Sequence, residues 1–474
     1  MAPSFPKDWF PQYMNYPQIC YYRHARRHLL LLTTDDDNYM IYSSIFKSFE
    51  RYGFKLSAGI IVKPYVEGGP YPEMKPPYPS EVELKEMFLA GHSIVAHGYN
   101  HDRELWQGSW ADKEEGYKAI AEQLTKARDG IFRITGHPII STWLPWSLDH
   151  VNRGHGEVAR EVGYVYCAQR QPRGEFHHWE LDVPSRSTEV FQNTRDVWDV
   201  YDQVTKDIKA RRLYTHLWGH GYLNTDNLEE NLLKLSEDRD MMGFLWSTSV
   251  ERAVRYIVER RYTRIEDWSV EDGLWTYRLS MELPKDLRGE LYGRRIYNMP
   301  LTICHPNLEG GKPPYVYTEE GGELTRLRSW IRDGKLYYDV VPGDQRVIVS
   351  PEPLTEPSTP EVKLYIDELE VRRPCDGEPV RGGYAIQIIV EGVDPKAQII
   401  EWKLTVIDGD GRYYTDHLGR EIKDYKLPVN DWLDNRRGKI IYPIERGYRK
   451  DEPFTIICEV VNAHGVGASV RETI

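Results

Sequence analysis

The chain has 474 residues, of which 40% are hydrophobic, 12% aromatic and 28% charged. This composition is that of a globular protein and excludes intrinsic disorder, a collagen-like repeat and a small disulfide-rich protein. There are 61 Lys and Arg residues against 73 Asp and Glu, a net charge of −12. This charge gives no electrostatic reason to expect binding to nucleic acid, to an anionic membrane or to a polyanionic substrate.

Neither a membrane span nor a cysteine framework is predicted. The longest apolar run near the start, Leu29 to Leu32, is far shorter than the roughly 20 residues that a membrane helix needs. Met1 to Phe10 lack the apolar core of a signal peptide. The five cysteines are far apart and form no C-x-x-C pair, so a thiolate zinc site is not expected. Cys375 and Cys458 could bridge one late domain.

Up to about residue 260, short apolar runs alternate with amphipathic stretches, which is typical of parallel strands joined by crossover helices. Strands are predicted at His28–Thr34, Leu56–Val62, His92–His97, Ile139–Leu144, Tyr164–Ala168, Leu213–Trp218 and Met242–Ser247. Helices are predicted at Met40–Tyr52, Ser80–Ala90, Lys113–Gly130, Glu157–Glu161, Asp196–Arg211 and Leu228–Asp238. Ser80 is the expected N-cap of its helix. Residues 1–260 are therefore predicted to form an α/β domain.

The rest of the chain shows the period-2 alternation of β-strands. Residues 261–350 are predicted to form a small β domain. Ser350–Pro360 contains four prolines in eleven residues, which predicts an extended linker over 351–360. Residues 361–474 are predicted to form an immunoglobulin-like β-sandwich.

Acidic residues follow the first predicted strand directly. Asp35, Asp36 and Asp37 come after the apolar run that ends at Thr34. In barrels of parallel strands the carboxyl ends of the strands carry the catalytic residues. The alternative is a helix N-cap with acidic residues in the first turn, which needs no catalysis. On its own, this motif favours the cap.

Two histidines follow another apolar run at a spacing of four. His97 and His101 can lie on one face of a helical turn, and neutral imidazole is the commonest metal ligand in proteins. Two imidazoles and one carboxylate make a three-ligand site with an open position, as in catalytic zinc centres. Two surface histidines would be the default for this spacing, and its coincidence with Asp35 and Asp36 at another strand end favours a metal site.

A third histidine pair lies at the end of the strand that begins near Leu213. Strand periodicity puts His216, Trp218 and His220 on one face, with His220 nearer the carboxyl end. A histidine at this edge can act as a general acid because its pKa lies close to neutral pH. A buried structural histidine is the alternative, and it suits His216 better than His220.

These residues resemble the polysaccharide deacetylases of the NodB-homology type, a family of metal-dependent carbohydrate esterases on an irregular seven-stranded (β/α) barrel. Thr33-Thr34-Asp35-Asp36-Asp37 looks like the first of five family motifs, His97-Gly-Tyr-Asn-His101 like the second and Leu217-Trp-Gly-His220 like the last. His216 fits the last motif loosely. The resemblance covers about residues 15–260 and implies nothing about the two β domains.

The resemblance implies roles for the motif residues. One divalent ion, zinc above all, would be bound by Asp36, His97 and His101. Asp35 would be the catalytic base, and His220 would protonate the leaving amine, with His216 as the alternative. The implied reaction is removal of an N-acetyl group from an amino-sugar polysaccharide or oligosaccharide.

The third family motif usually reads Arg-x-Pro-aromatic, and here Trp143-Leu-Pro145-Trp146 has Trp143 where the arginine belongs. In the family this arginine tethers the base. Either another cation takes this role, or the pKa of the base is set by different neighbours. The resemblance places Pro145, Trp146 and Trp143 at the substrate and oxyanion side of the site, with the Trp146 N–H as the oxyanion donor. Asp182 is a candidate for the fourth motif.

Other functions fit parts of the pattern. An amidase on the same barrel could act on a small non-sugar amide. The missing arginine of the third motif favours this alternative. A carbohydrate-binding protein with an impaired site is a second alternative, against which the intact Asp35, Asp36, His97 and His101 count. Two histidines and one carboxylate also form the facial triad of non-haem iron oxygenases. The sequence does not decide the localisation. The protein could be cytoplasmic, or it could be secreted or at the cell surface if a signal peptide has been removed.

Overall fold

The computed structural model of the chain describes residues 16–35, 39–68, 78–107, 114–145, 155–168, 200–210, 214–220, 226–285, 287–305, 314–372, 379–416, 419–426, 431–432, 434–445 and 452–474. None of the helices in these ranges is long and apolar enough to cross a membrane.

The first half of the chain is built on a parallel sheet of seven strands. In chain order these are β1 (His28–Asp35), β2 (Leu56–Ile60), β3 (Ser93–Ala96), β4 (Ser141–Trp143), β5 (Tyr166–Ala168), β6 (Tyr214–His220) and β7 (Leu245–Ser247). Their spatial order is β5-β4-β3-β2-β1-β6, and β7 pairs with the beginning of β1. This sheet with its helices fits the predicted (β/α) barrel, which brings the carboxyl ends of β1, β2, β3 and β6 to one edge.

Helices connect these strands. Most of them pack on one face of the sheet, whereas the helix Val250–Tyr262 packs on the other face with Leu29 and Leu31. The helices span Lys47–Tyr52, Lys63–Val66, Glu81–Leu89, Arg103–Gln107, Glu114–Thr135, His155–Glu161, Val200–Lys209, Asp226–Glu237, Arg239–Phe244 and Val250–Tyr262, with a π-helical stretch at Ile41–Phe46 and a 3₁₀ turn at Arg23–Ala25. The predicted N-cap is confirmed, because the Ser80 hydroxyl accepts from the Glu83 N–H at 3.2 Å. The Glu83 carboxylate accepts in turn from the Ser80 N–H at 2.7 Å, which completes a capping box.

Five predicted strands are shorter in the structure, and for two of them the cause is local. The sequence predicts a strand from Met242, but Met242 lies in the helix Arg239–Phe244, and β7 begins at Leu245. Asp238 caps that helix by accepting from the Met241 N–H at 2.9 Å, which extends helical structure into the apolar run. β4 begins at Ser141 because the Ile140 N–H donates to the Glu251 carboxylate at 2.8 Å and not to a neighbouring strand.

Apolar side chains cover both faces of the parallel sheet. Along β1, Leu30 and Leu32 belong to the cluster under the helices, whereas Leu29 and Leu31 belong to a second cluster inside the barrel with Trp143. All eight residues of β1 are buried. Burial on both faces is typical of parallel strands, and it explains why β1 reads as a continuous apolar run. Only where β1 ends do polar side chains replace the apolar ones.

Antiparallel sheets make up the region that follows the barrel. A four-stranded sheet has the order Gln18–Ile19, Leu301–His305, Lys335–Val340 and Ser329–Arg332. A five-stranded sheet has the order Glu323–Leu327, Tyr315–Glu320, Gln345–Ser350, Leu274–Met281 and Thr263–Glu271, and a hairpin joins Glu290–Leu291 to Arg294–Arg295. The two large sheets share one apolar core, which includes Tyr277, Ile303 and Val347.

The last part of the chain is also all-β. One sheet has the order Glu361–Arg372, Pro379–Val393, Arg437–Glu445 and Asp431–Trp432, and the other Tyr425–Lys426, Ile399–Asp408, Phe454–Asn462 and Gly467–Thr473. Residues from both sheets, such as Ile388 and Trp402, share one core. The immunoglobulin-like arrangement stays a prediction, as do the domain boundaries.

The barrel is joined to the middle sheets by more than chain continuity. Gln18–Ile19 pairs with Leu301–His305, and the Tyr256 hydroxyl donates to the Cys20 carbonyl at 2.9 Å. The helix Val250–Tyr262 runs across the predicted boundary at residue 260. The apolar cluster inside the barrel continues through this helix to Leu301. The barrel and the middle sheets therefore share a hydrophobic core.

Four cysteines lie in the described residues, and Cys20, Cys167, Cys304 and Cys458 are buried free thiols. Burial raises the pKa of Cys167 and of Cys458 to about 12, so both are protonated at neutral pH and poorly suited to act as nucleophiles. Cys375 lies outside the described residues, and its bridge to Cys458 stays untested.

Candidate active site

Asp35 is the last residue of β1 and lies between the carboxyl ends of β2 and β6. Its side chain is buried, and its Oδ2 accepts a hydrogen bond of 2.8 Å from the indole N–H of Trp218 in β6. The register of β1 and β6 pairs Thr33 with Trp218 and Asp35 with His220. The first and last predicted motifs therefore meet at one edge of the sheet.

His97 directly follows β3, next to β2, and faces Asp35. The Nδ1 atom of His97 lies 3.2 Å from the carbonyl oxygen of Trp143. Because a carbonyl can only accept, Nδ1 carries the proton, and in neutral imidazole Nε2 then keeps its lone pair. His97 Nε2 lies 3.9 Å from Asp35 Oδ2, which brings a carboxylate and an imidazole lone pair to one point. This is the orientation that metal-binding histidines take when their second nitrogen is held by a carbonyl.

His101 lies beside His97, as the four-residue spacing predicts. The two ring centroids are 5.1 Å apart, and both side chains are buried. The loop between them is anchored by the Trp106 indole N–H, which donates to the Asn100 carbonyl at 3.0 Å. Trp106 is fully buried, so its ring supports this loop and offers no surface for stacking on a sugar. The two adjacent imidazoles could therefore serve as nitrogen ligands of one metal ion.

Gly98 and Gly59 make room for this arrangement. Gly98 has φ +77°, and a Cβ there would lie 2.8 Å from Pro145 Cγ and 2.9 Å from the Asn100 carbonyl. A Cβ on Gly59 in β2 would lie 3.3 Å from the Cβ of Asp35 and 3.4 Å from that of His97. The absence of a side chain at Gly59 therefore permits the close approach of Asp35 and His97.

Replacing Gly98 by Ala is expected to lower the free energy of unfolding for two reasons. An alanine in the left-handed conformation costs about 1–2 kcal/mol, and the crowding of its methyl group costs about 1–3 kcal/mol. Gly136→Ala is the matched control, because Gly136 has φ +72° but nothing within 4 Å of its Cβ position. Urea denaturation should give a larger loss for Gly98→Ala than for Gly136→Ala. Equal losses would show that the loop adapts to the extra methyl group.

His216 lies deeper in the barrel than His220. It pairs in register with Leu31, four residues before Asp35, a separation of about 13 Å along the strand. Its Nε2 is 3.2 Å from the Thr33 hydroxyl, which itself donates to the Leu217 carbonyl at 3.3 Å. The His216 nitrogen therefore donates to Thr33. The register brings His220, and not His216, to the level of Asp35.

Trp143 contributes to the site through its backbone. Its side chain is 3% exposed and packs edge-on against His216, with 6.1 Å between the ring centroids. Stacking of this ring on a sugar is therefore not supported by its position, and its carbonyl holds His97. Pro145 lies against the Gly98 position, next to the histidine loop.

Several predicted site residues lie outside the described residues. These are Asp36, Trp146 and Asp182, and for His220 the structure describes the backbone alone. In the described part of the chain no three His, Cys, Asp or Glu side chains cluster as a metal site. The residues present nevertheless fit a metal ion, because two buried imidazoles lie side by side and the Nε2 lone pair of His97 is directed at a carboxylate.

The Trp218 hydrogen bond to Asp35 is the feature that sequence reasoning missed. Strand periodicity puts Trp218 on the same face as His216 and His220, and the third motif lacks its arginine. These two signals together could have indicated Trp218 as a donor to the base. The structure shows that a neutral donor, the Trp218 indole, holds Asp35.

Comparison with known proteins agrees with this geometry. Residues 23–167 match the polysaccharide deacetylase family. No curated protein matches the chain. Similar solved structures are the BpsB deacetylase domain of Bordetella bronchiseptica (21% identity, TM-score 0.26), the Xyl-CE4 domain of a multidomain xylanase from the hindgut metagenome of Trinervitermes trinervoides (13%, 0.31) and the polysaccharide deacetylase Bc1974 of Bacillus cereus (13%, 0.30).

The shared regions of these structures differ in extent. They cover 30%, 50% and 47% of this chain and 64%, 93% and 92% of the respective relatives, so the chain spans less than two thirds of the BpsB domain. The family match includes Asp35, His97, His101 and Pro145, all of which the structure places at one edge of the parallel sheet. Residues 23–167, about a third of the chain, thus carry the match to the polysaccharide deacetylase family.

Proposed function

We propose that this protein is a metal-dependent hydrolase that removes N-acetyl groups from an amino-sugar polysaccharide or oligosaccharide. The observation that carries this proposal is the meeting of Asp35 and His97 at the ends of β1 and β3, with 3.9 Å between carboxylate and imidazole. A buried carboxylate beside an oriented imidazole suits proton transfer next to a metal ion. The family match of residues 23–167 supports acetyl hydrolysis as the reaction.

The proposed metal ligands are His97, His101 and Asp36, with zinc as the proposed ion. Imidazole nitrogen and carboxylate oxygen are ligands that catalytic zinc uses, in sets of three that leave one position open. A divalent ion bound there would supply Lewis-acid activation of a water molecule and of the acetyl carbonyl. The Trp143 carbonyl keeps the proton of His97 on Nδ1, so that Nε2 is available as the ligand atom.

Asp35 is the proposed general base, and Trp218 holds it. With its Oδ2 fixed by the indole N–H at 2.8 Å, the carboxylate is held in one orientation, in which we propose that it takes a proton from the attacking water. A neutral donor orients the carboxylate without adding a positive charge next to the metal site. Trp218 thus performs the positioning that an arginine performs in the family pattern.

His220 is the proposed general acid, because the register places it opposite Asp35. It would donate its proton to the departing amine, which leaves a free amino sugar and acetate. The Trp146 N–H, after Pro145, is the proposed donor to the oxyanion.

Acetate release from a panel of N-acetylated oligosaccharides, with and without chelator and with zinc added back, tests the proposed function. Chelator-sensitive release that zinc restores is the expected result. Release from a small non-sugar amide, with none from any oligosaccharide, would support the amidase instead. Full activity after the metal has been removed would contradict metal dependence.

Trp218→Phe is expected to lower kcat for acetate release by roughly 10- to 100-fold, because a hydrogen bond to a charged group contributes about 1.5–3 kcal/mol. KM should change little, since the indole N–H acts on the base and not on the substrate. Trp402→Phe makes the same chemical change in the sandwich, where the Trp402 indole N–H has no hydrogen-bond partner among the described residues. Steady-state kinetics of both variants provide the check, and equal turnover would remove Trp218 from the mechanism.

A further inference from the structure

The geometry points to a second binding site, for a small multiply charged oxyanion such as a phosphate or sulfate ester, at the end of the sheet where β1 begins. A cavity of about 280 Å³ lies there, between the segment before β1, the start of β2 and the helix Val250–Tyr262. Among the described residues that line it, Arg23, Arg26, Lys55 and Arg252 are cations and none is acidic. His24 also lines it, but burial lowers its pKa to about 4, so its imidazole is neutral at pH 7. In a protein of net charge −12, such a concentration of positive charge needs a reason.

This cavity is separate from the candidate active site. β1 begins at His28 beside the cavity and ends at Asp35, a run of about 23 Å. β7, whose three residues all line the cavity, pairs with the first three residues of β1. A ligand in the cavity would therefore lie at the opposite end of the sheet from His97 and Asp35.

The carboxylates near the cavity are fewer than its cations. Asp339 lies 3.7 Å from Arg23 and also 3.4 Å from His24. Glu50 forms an ion pair with Lys55, and it also accepts from the buried His92. These two carboxylates thus already serve two basic groups each.

Arg26 receives no such compensation. Its guanidinium donates to the backbone carbonyls of Met242, at 2.8 Å, and of Gly243. Among the described residues no carboxylate lies within ion-pair distance of Arg26. Carbonyl oxygens satisfy hydrogen-bond donors but do not neutralise the charge, so the half-buried cation would be stabilised by an anion.

The electrostatic environment of two of these arginines agrees with this reading. Burial and, after it, the nearby Arg23 and Arg255 together lower the pKa of Arg252 to about 10. Burial and the nearby Arg332 lower the pKa of Arg26. Like charges are thus crowded around partly desolvated guanidinium groups, and a bound anion would reverse the sign of this interaction.

Phosphate and sulfate groups fit this chemistry best. Guanidinium groups present forked N–H donors that match the oxygens of phosphate or sulfate, and an ammonium group adds a point charge. Since a water molecule takes about 30 Å³ in the liquid, the cavity has room for a diphosphate or for a phosphate with part of its ester group.

Isothermal titration calorimetry of the full chain with inorganic pyrophosphate, at constant ionic strength, tests the site. Binding is expected for the unaltered protein and for Arg261→Gln, a matched control on the same helix with an exposed side chain outside the cavity. Arg26→Gln and Arg252→Gln should each weaken binding by at least about tenfold. Titrations with inorganic phosphate and with sulfate then distinguish the two kinds of oxyanion.

Circular dichroism and thermal unfolding of both cavity variants report whether they are folded, independently of the proposed activity. Absence of pyrophosphate binding to the unaltered protein would overturn the proposal. Equal binding to all four proteins would also overturn it, because the anion would then be held by general surface charge.

Discussion

Asp35→Asn is expected to lower kcat for acetate release by about 10²- to 10⁴-fold while the protein keeps its bound metal. The amide has nearly the same shape as the carboxylate and can still accept the Trp218 N–H bond through its oxygen. It cannot take a proton from water. The change therefore removes the base and leaves the histidine pair, 5.1 Å apart, in place.

Metal content per chain and kcat, measured on the same preparation, provide the check. Trp218→Phe is the natural companion variant, because it leaves the base intact and removes only its orientation. The order of turnover should be unaltered protein, then Trp218→Phe, then Asp35→Asn. An Asp35→Asn protein that retains both its metal and its turnover would show that another group is the base.

His97→Ala is expected to lose both the bound metal and activity, to below the detection limit of acetate release. The substitution removes one proposed ligand, and Ala leaves the Trp143 carbonyl without its donor. The same double loss is expected for Asp36→Ala, the proposed third ligand. Excess zinc should restore activity only partly, because a two-ligand site binds the ion weakly.

Metal analysis after dialysis, together with circular dichroism, separates loss of the ion from loss of the fold. His464→Ala, in the sandwich, is the control and should retain both metal and turnover. A His97→Ala protein that is folded, contains zinc and releases acetate would require a different set of ligands.

Much of the barrel could be predicted from the sequence because its signals are local. The apolar run at Leu29–Leu32 and the acidic residues after it locate β1 and the edge at which it ends. Since parallel strands end at a common edge, the proximity of Asp35 to His97 also follows from sequence. The spacing of His97 and His101 likewise predicts their adjacent rings.

What the sequence could not show depends on register and packing. The contact of Trp218 with Asp35 requires that Thr33 pairs with Trp218, and no local pattern sets that pairing. In the same way, the resemblance places Trp143 at the substrate side of the site, but its ring is buried against His216. The sequence predicts that β7 begins at Met242, whereas it begins at Leu245, because a capped helix occupies the first part of its apolar run.

The pairing of Gln18–Ile19 with Leu301–His305 also has a consequence for folding during translation. The His24 N–H donates to the Thr302 hydroxyl at 2.8 Å across 278 residues of chain. Translation at about 5–20 residues per second would leave the first segment waiting roughly 15–55 s for its partner strand. During that time Tyr22 lacks the part of its apolar cluster that is synthesised later, from Tyr256 to Leu301. The barrel of this protein therefore depends on the middle sheets to finish folding, and a shortened chain that ends near residue 260 would emerge from the ribosome with this apolar cluster open to aggregation.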